Sequence, residues 1–271
     1  MMTIVLKLGG ELVQSPDLTA IAKDLRVLVD GFHRVAIVHG GGPQATALQK
    51  TLGLETRMVA GRRYTDARTL EVMKYVVAGQ LNVDLCARLL AAGVMPVGLH
   101  GASGHVIQAT RRPPRVMQGA GPDPVDLGLV GDVVGFNLPL LGDLFERRYV
   151  PVLACLGCDA AGQALNINGD TVASQLAGAL RADALVLVTS TPGVLRNVAD
   201  PSSRIPRITR AEFEALVADG TISGGMIPKL EESFDVLRGG ARSVVILGRL
   251  GEGDLLKAVT SPGSAGTVLV P

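Results

Sequence analysis

The chain has 271 residues, 47% hydrophobic and 19% charged, with a formal net charge of +1. That length can fill one large core or two lobes, while the balanced charge, 3% aromatics and absence of tryptophan argue against a polyanion-binding face of basic and stacking side chains. Three cysteines argue against a disulfide framework, and no apolar run approaches the roughly 20 residues that cross a bilayer.

In chain order, Ile4-Val5-Leu6-Lys7-Leu8-Gly9-Gly10 reads as a strand over 4–8 ending in two glycines. A lysine on a buried-type strand is costly unless its charge meets an anion, and glycines let backbone N–H groups crowd a phosphate. Ser15 and Pro16 start a helix from Asp17 to Leu28. A second strand, 35–39, runs into His39-Gly40-Gly41-Gly42, and Pro43 opens a helix through Leu52. The repeated strand-to-glycine turn predicts one shared phosphate-handling site at helix N-termini. Arg62-Arg63-Tyr64-Thr65-Asp66 precedes a long helix reaching Ala92 and stopped by Gly93. Either guanidinium offers a planar fork for a carboxylate, although adjacent arginines are usually just solvated. Pro96–Leu99 reads as a strand.

The helical period disappears over 101–136, where Gly, Pro and Val alternate as in hairpins of a flap, and Arg111, Arg112 and Arg115 there read as a solvated face. A helix is predicted over Asn137–Arg148 and a strand over Val150–Leu153. Cys155 and Cys158 have CxxC spacing but read as small buried hydrophobes, and the four histidines form no ligand set. Asn166-Ile167-Asn168-Gly169-Asp170 starts a helix to Leu180; Asp170 suits a cap or a holder of ammonium groups, and Asn166 a partner for a carboxylate or amide. After the strand Ala184–Thr189 come a Pro-containing loop, helices over 211–218 and 228–238, a strand at 243–247, a helix at 253–259 and an edge strand at 267–270. Lys229 follows the glycine turn of 222–229, where free N–H groups suit phosphate oxygens. The alternation predicts an α/β chain, a three-layer αβα sandwich around a central, mainly parallel sheet, in two lobes divided near residue 165.

KLGG, HGGGPQ, GRRYTD, NINGD, TSTPGVL and SGGMIPKL occur in an order and spacing that resembles the amino acid kinase family over essentially the whole chain. Within it, the chain is most similar to the branch that phosphorylates the γ-carboxylate of N-acetyl-L-glutamate with ATP, a step of arginine biosynthesis. The resemblance implies an N-terminal lobe, 1–165, for the acyl amino acid and dimerisation, and a C-terminal lobe, 166–271, for ATP. It implies catalytic roles for Lys7 and Lys229, oriented by Asp170, and acceptor contacts from Gly41, Gly42, Arg63 and Asn166. Gly9, Gly10, Ser190, Thr191, Pro192, Gly193, Val194, Leu195, Thr221, Ile222 and Ser223 would border the nucleotide, with Mg2+ bridging its phosphates and no dedicated protein metal site.

Two positions depart from the family pattern: Ser190, where an acidic residue is frequent, and Arg62, where an apolar one is. A rival branch phosphorylates aminoadipate or glutamate tethered to an acidic carrier protein, which basic flap residues would suit. A non-catalytic sensing module of the same fold is a further alternative. The remaining expectations are a cytoplasmic homodimer without nucleic-acid or membrane partners. The first strand begins near residue 3 and leaves no room for the N-terminal helix of arginine-inhibited relatives, so arginine insensitivity is also expected.

Overall fold

Strand-forming apolar runs alternate with helices almost from end to end in the computed structural model, which describes residues 1–117, 119–223, 226–248 and 250–271. β1 (Thr3–Leu8) leads through a short 3₁₀ turn into α1 (Asp17–Asp30), where Ser15 Oγ accepts from the Asp17 N–H at 3.1 Å. β2 (Arg34–His39) passes directly into α2 (Gly42–Thr51), with Pro43 in its first turn. The hairpin β3 (Met58–Val59) and β4 (Arg62–Arg63) follows, and Asp66 then caps α3 (Ala67–Met73) by accepting from the Thr69 N–H at 2.7 Å. The long helix continues through a π-helical stretch, Lys74–Leu81, into α4 (Asn82–Ala91). The sequence predicts one uninterrupted helix there; the wider turns are set by packing and leave no sequence period of their own.

Next come β5 (Pro96–Leu99), the flap strands β6 (Ile107–Arg111) and β7 (Gly131–Phe136), α5 (Leu138–Glu146) and β8 (Val150–Ala154). β9 (Leu156–Cys158) and β10 (Ala164–Asn166) precede α6 (Gly169–Ala179) and β11 (Ala184–Thr189). The last elements are β12 (Arg207–Ile208), α7 (Arg210–Ala218), α8 (Met226–Arg238), β13 (Val244–Gly248), α9 (Asp254–Thr260) and β14 (Thr267–Leu269).

Eight strands form one sheet in the order β12-β14-β13-β11-β1-β2-β8-β5, parallel except for the β13–β14 pair. The central strands are buried nearly throughout, as both faces of a parallel sheet must be. α1 packs with α4 and α9, whereas α6 packs with α8 and lies on β1, β2 and β11, so helices cover the sheet on both sides. The predicted edge strand at 267–270 is not an edge. β12 forms beyond it, because the loop ahead of α7 turns back in parallel with β14.

A smaller sheet, β10-β9-β6-β7, forms the flap expected from 101–136. One buried carboxylate ties the ends of the chain together. Asp24 on α1, 3% exposed, accepts from the N–H groups of Gly253, Leu255 and Leu256 at the start of α9, at 2.8, 2.9 and 3.2 Å. A cap of this kind is worth about 0.5–2 kcal/mol. The topology brings the C-terminal ends of β1, β2, β8, β11 and β13 to one rim, where crevices of open α/β sheets form.

Candidate active site

At that rim Lys7 leaves the end of β1 with its side chain only 18% exposed and pairs with Asp170, Nζ to Oδ1, at 2.9 Å. Asp170 is free to do so because it does not cap its helix. Asn168 takes that role, its Oδ1 accepting from the Asp170 and Thr171 N–H groups at 2.7 and 3.3 Å. Lys229, in the first turn of α8, lines the same cavity of about 260 Å3 as Lys7 and Asp170. Burial lowers the Lys229 pKa from its ordinary value, Asp170 opposes that shift, and the Lys7 charge adds to it. Among the described residues Lys229 has no carboxylate in ion-pair contact. Two ammonium groups and two carboxylates, Asp170 and Glu232, line this hollow, and with Asp170 committed to Lys7 the Lys229 ammonium is left to meet an anion. Gly224 and Gly225, the glycines of the turn ahead of Lys229, lie outside the described residues.

The two glycine turns touch. A Cβ on Gly10 would sit 2.5 Å from Gln44 Oε1 and 2.8 Å from the Gly41 Cα, and one on Gly169 would sit 3.5 Å from the Gly40 nitrogen. Only glycine permits the first approach. Gly41 and Gly42 open α2, and among the described residues no acceptor within the chain meets their N–H groups. They line a second cavity of about 210 Å3 together with Arg63, Arg112, Cys155 and Asn166.

Arg63 is held from three sides: it donates to Gln49 Oε1, to the Gly42 carbonyl at 3.0 Å and to Thr46 Oγ1 at 2.7 Å. Burial lowers its pKa from the ordinary value, yet a guanidinium keeps its charge. Asn166 Nδ2 donates to Thr65 Oγ1 at 3.0 Å, and the Thr65 hydroxyl donates to the Arg63 carbonyl at 3.3 Å, so the two predicted acceptor residues share one support. Arg62 also lines this cavity.

The residues expected around a nucleotide are distributed less tightly. Thr189, at the end of β11, lines the cavity of the two lysines, and its hydroxyl donates to the Thr191 carbonyl at 2.9 Å. Ser190, Thr191, Pro192 and Gly193 continue from it, and Thr267 Oγ1 accepts from the Val194 N–H at 2.9 Å while donating to the Ile205 carbonyl at 2.6 Å. The side chains of Val194 and Ile222 are buried in the core, so only their backbones are available to a ligand. Leu195 bridges to Arg204, and the Thr221 N–H donates to Asp219 Oδ1 at 2.9 Å. None of the eleven residues expected at the nucleotide (Gly9, Gly10, Ser190 to Leu195 and Thr221 to Ser223) lines either of the two cavities.

Several site residues escape sequence reasoning. Arg112 is not part of a solvated face: it is 5% exposed, lines the 210 Å3 cavity and donates from Nε to Asp132 Oδ1 at 2.8 Å. Its partner lies 20 residues away on β7, a pairing that spacing does not reveal. Glu232, one turn beyond Lys229, faces the lysine cavity, and burial, aided by Asp170, pushes its carboxyl pKa up. Cys155 lines the acceptor cavity fully buried, and burial raises its thiol to about 11.

Comparison with known proteins addresses the family and the fold. The model of the amino acid kinase family matches residues 2–248. An acetylglutamate kinase of Anaeromyxobacter dehalogenans is 89% identical over 269 residues, covering 99% of this chain and 100% of that protein. Another from Sorangium cellulosum is 59% identical over 268 residues, 99% of this chain and 94% of that protein. Among solved structures, N-acetylglutamate synthase from Neisseria gonorrhoeae, in complex with coenzyme A and N-acetyl-glutamate, superposes with a TM-score of 0.82 at 22% identity, covering 100% of this chain and 59% of that one. Carbamate kinase from Giardia lamblia bound to AMP-PNP gives 0.63 at 18% identity, covering 99% and 98%. At those identities the two structures speak for the fold alone.

Proposed function

The chain belongs to the amino acid kinase family, and from that membership we propose that it transfers the γ-phosphoryl group of ATP to the γ-carboxylate of N-acetyl-L-glutamate, as in arginine biosynthesis. The observation that carries this reading is the pair of lysines on one cavity, with the Asp170 carboxylate between them in charge, beside a second cavity lined by glycine N–H groups and arginines.

The attacking atom is a carboxylate oxygen, already ionised near neutral pH, so no general base is needed. The O–Pγ bond forms as the bond from Pγ to the bridging oxygen breaks, and ADP departs with that electron pair. Lys7 and Lys229 offset the charge on the migrating group from two sides, while Asp170 fixes Lys7 and opposes the burial that lowers the Lys229 pKa. Arg63 and Asn166 hold the acceptor's α-carboxylate region, and the Gly41 and Gly42 N–H groups meet the acceptor from the turn. Ser190–Leu195 and Thr221–Ser223 border the nucleotide through their backbones.

Mg2+ arriving with ATP would supply further charge neutralisation. The division of labour at residue 165 rests on the cavity linings: the acceptor cavity draws mostly on residues before that point and the lysine cavity mostly on residues after it. Of the flap arginines that would suit a carrier-bound acceptor, Arg112 is buried against Asp132 and faces the acceptor cavity instead of the surface.

A homodimer through α4 and the free edge of β5 is part of the same reading, since Val83, Leu90 and Met95 are at least half exposed there; sedimentation at twice the chain mass checks it. Among the described residues no helix is long and apolar enough to cross a membrane, and a cytoplasmic site of action is proposed with the pathway. The deciding experiment traps acyl phosphate as a hydroxamate during turnover of ATP with a panel of acyl amino acids. Product with N-acetyl-L-glutamate is expected; turnover confined to other acceptors, or none at all, refutes the assignment.

A further inference from the structure

His39 is fully buried, lies at the end of β2, and has both ring nitrogens engaged. Nδ1 lies 3.0 Å from the carbonyl oxygen of Gly40, and Nε2 lies 2.9 Å from Asn82 Nδ2. A carbonyl can only accept, so Nδ1 carries the hydrogen. The same Asn82 nitrogen donates to the Val152 carbonyl on β8 at 3.0 Å, which fixes the amide's orientation and makes it the donor to Nε2. Nε2 is therefore bare and the imidazole neutral, in keeping with the burial that lowers its pKa. Gly98 on β5 makes room for this amide: a Cβ there would collide with Asn82 Oδ1.

The Gly40 carbonyl and the Gly41 N–H belong to one planar peptide unit and point in opposite directions. Flanked by glycines on both sides, that unit has little of its own to stop it from flipping. Resting on the acceptor pocket proposed above, we infer that His39 is a positioning residue: held by Asn82, it anchors the Gly40 oxygen on the core side and so aims the Gly41 N–H into the acceptor cavity. The relay runs from the Val152 carbonyl through Asn82 and His39 to the glycine turn. Leu81 and Val77 of the π stretch close the far side, 2.5 and 3.0 Å from where a Gly41 Cβ would stand.

The first test is independent of activity. Two-bond proton–nitrogen correlation on histidine-labelled protein at neutral pH, with the His39 signal identified by its loss in His39→Asn, is expected to show Nδ1 protonated and Nε2 bare. The opposite tautomer, or a doubly protonated ring, overturns the relay whatever the enzyme's substrate proves to be. The second test is kinetic. His39→Leu fills the space without hydrogen bonds and is expected to raise KM for N-acetyl-L-glutamate about tenfold, roughly one hydrogen bond's worth. KM for ATP should stay within about twofold. His39→Asn, whose amide can still donate to the Gly40 oxygen, is expected to recover most of the loss. Unchanged acceptor KM in His39→Leu, or equal shifts in both substrates without recovery by asparagine, refutes the positioning role. If the wild-type protein fails to phosphorylate the acceptor, the proposed function falls while the tautomer measurement stands.

Discussion

The two sides of the cleft are built differently. On the acceptor side the polar side chains Arg63, Asn166 and Arg112 are already committed to the protein: Arg63 has three partners, Asn166 leans on Thr65, and Arg112 is clamped by Asp132. On the donor side the loop after β11 hangs from the Thr267 hydroxyl near its middle, and Lys229 is half-buried without a contacting carboxylate among the described residues. The acceptor wall is preorganised, so its binding loses little side-chain entropy. On the donor wall the Lys229 charge has no contacting carboxylate among the described residues, so it is left for the phosphoryl group in transit.

The largest effect should come from removing that unsatisfied charge. Lys229→Ala or Lys7→Ala is expected to lower kcat by ~10²–10³-fold while moving KM for ATP little. Steady-state kinetics decide it, and a rise in KM at constant kcat would remove both lysines from the chemical step. On the preorganised side, Arg63→Lys should raise KM for the acceptor by roughly tenfold, because an ammonium cannot replace a fork bound on three sides. An unchanged KM would show that the tied guanidinium is scaffold only.

Gly10→Ala tests whether the two sides share one floor. The methyl group would press on Gln44 and Gly41, destabilising the fold by about 1–3 kcal/mol in thermal unfolding. A milder change, Thr267→Val, strands the Val194 N–H and should cost about 1–3 kcal/mol of local order, read as faster hydrogen exchange in residues 190–195 and a modest rise in KM for ATP.

The pH profile sharpens the contrast further. With its pKa lowered by burial, Lys229 loses its proton at a lower pH than an ordinary lysine, so kcat should fall as pH rises through that value. In Lys229→Arg the fall should move out of range. The stability change has the opposite sign: the unfolded chain holds this proton more tightly, so folding gains as pH rises between the two values.

Much of the rim was legible because its signals are local. A lysine before paired glycines, a glycine turn ending in proline, and an Asp following two asparagines at a helix start are written within a few positions each. Asp170 shows the limit of that reading: the cap is Asn168, and the released carboxylate reaches Lys7 only through the fold. Arg112 with Asp132, and His39 with Asn82 43 residues on, are long-range pairs that no spacing rule contains. The π stretch was hidden because wider turns follow from packing, and β12 because a two-residue strand inside a loop has no periodicity.

Asp24 joins a helix from near the start of the chain to one near its end, on the layer formed by α1, α4 and α9. Three amides gripping one carboxylate act as a rivet, fastening the helical layer across the two halves just as the pairing of β1 with β11 fastens the sheet, so the join resists in two layers at once.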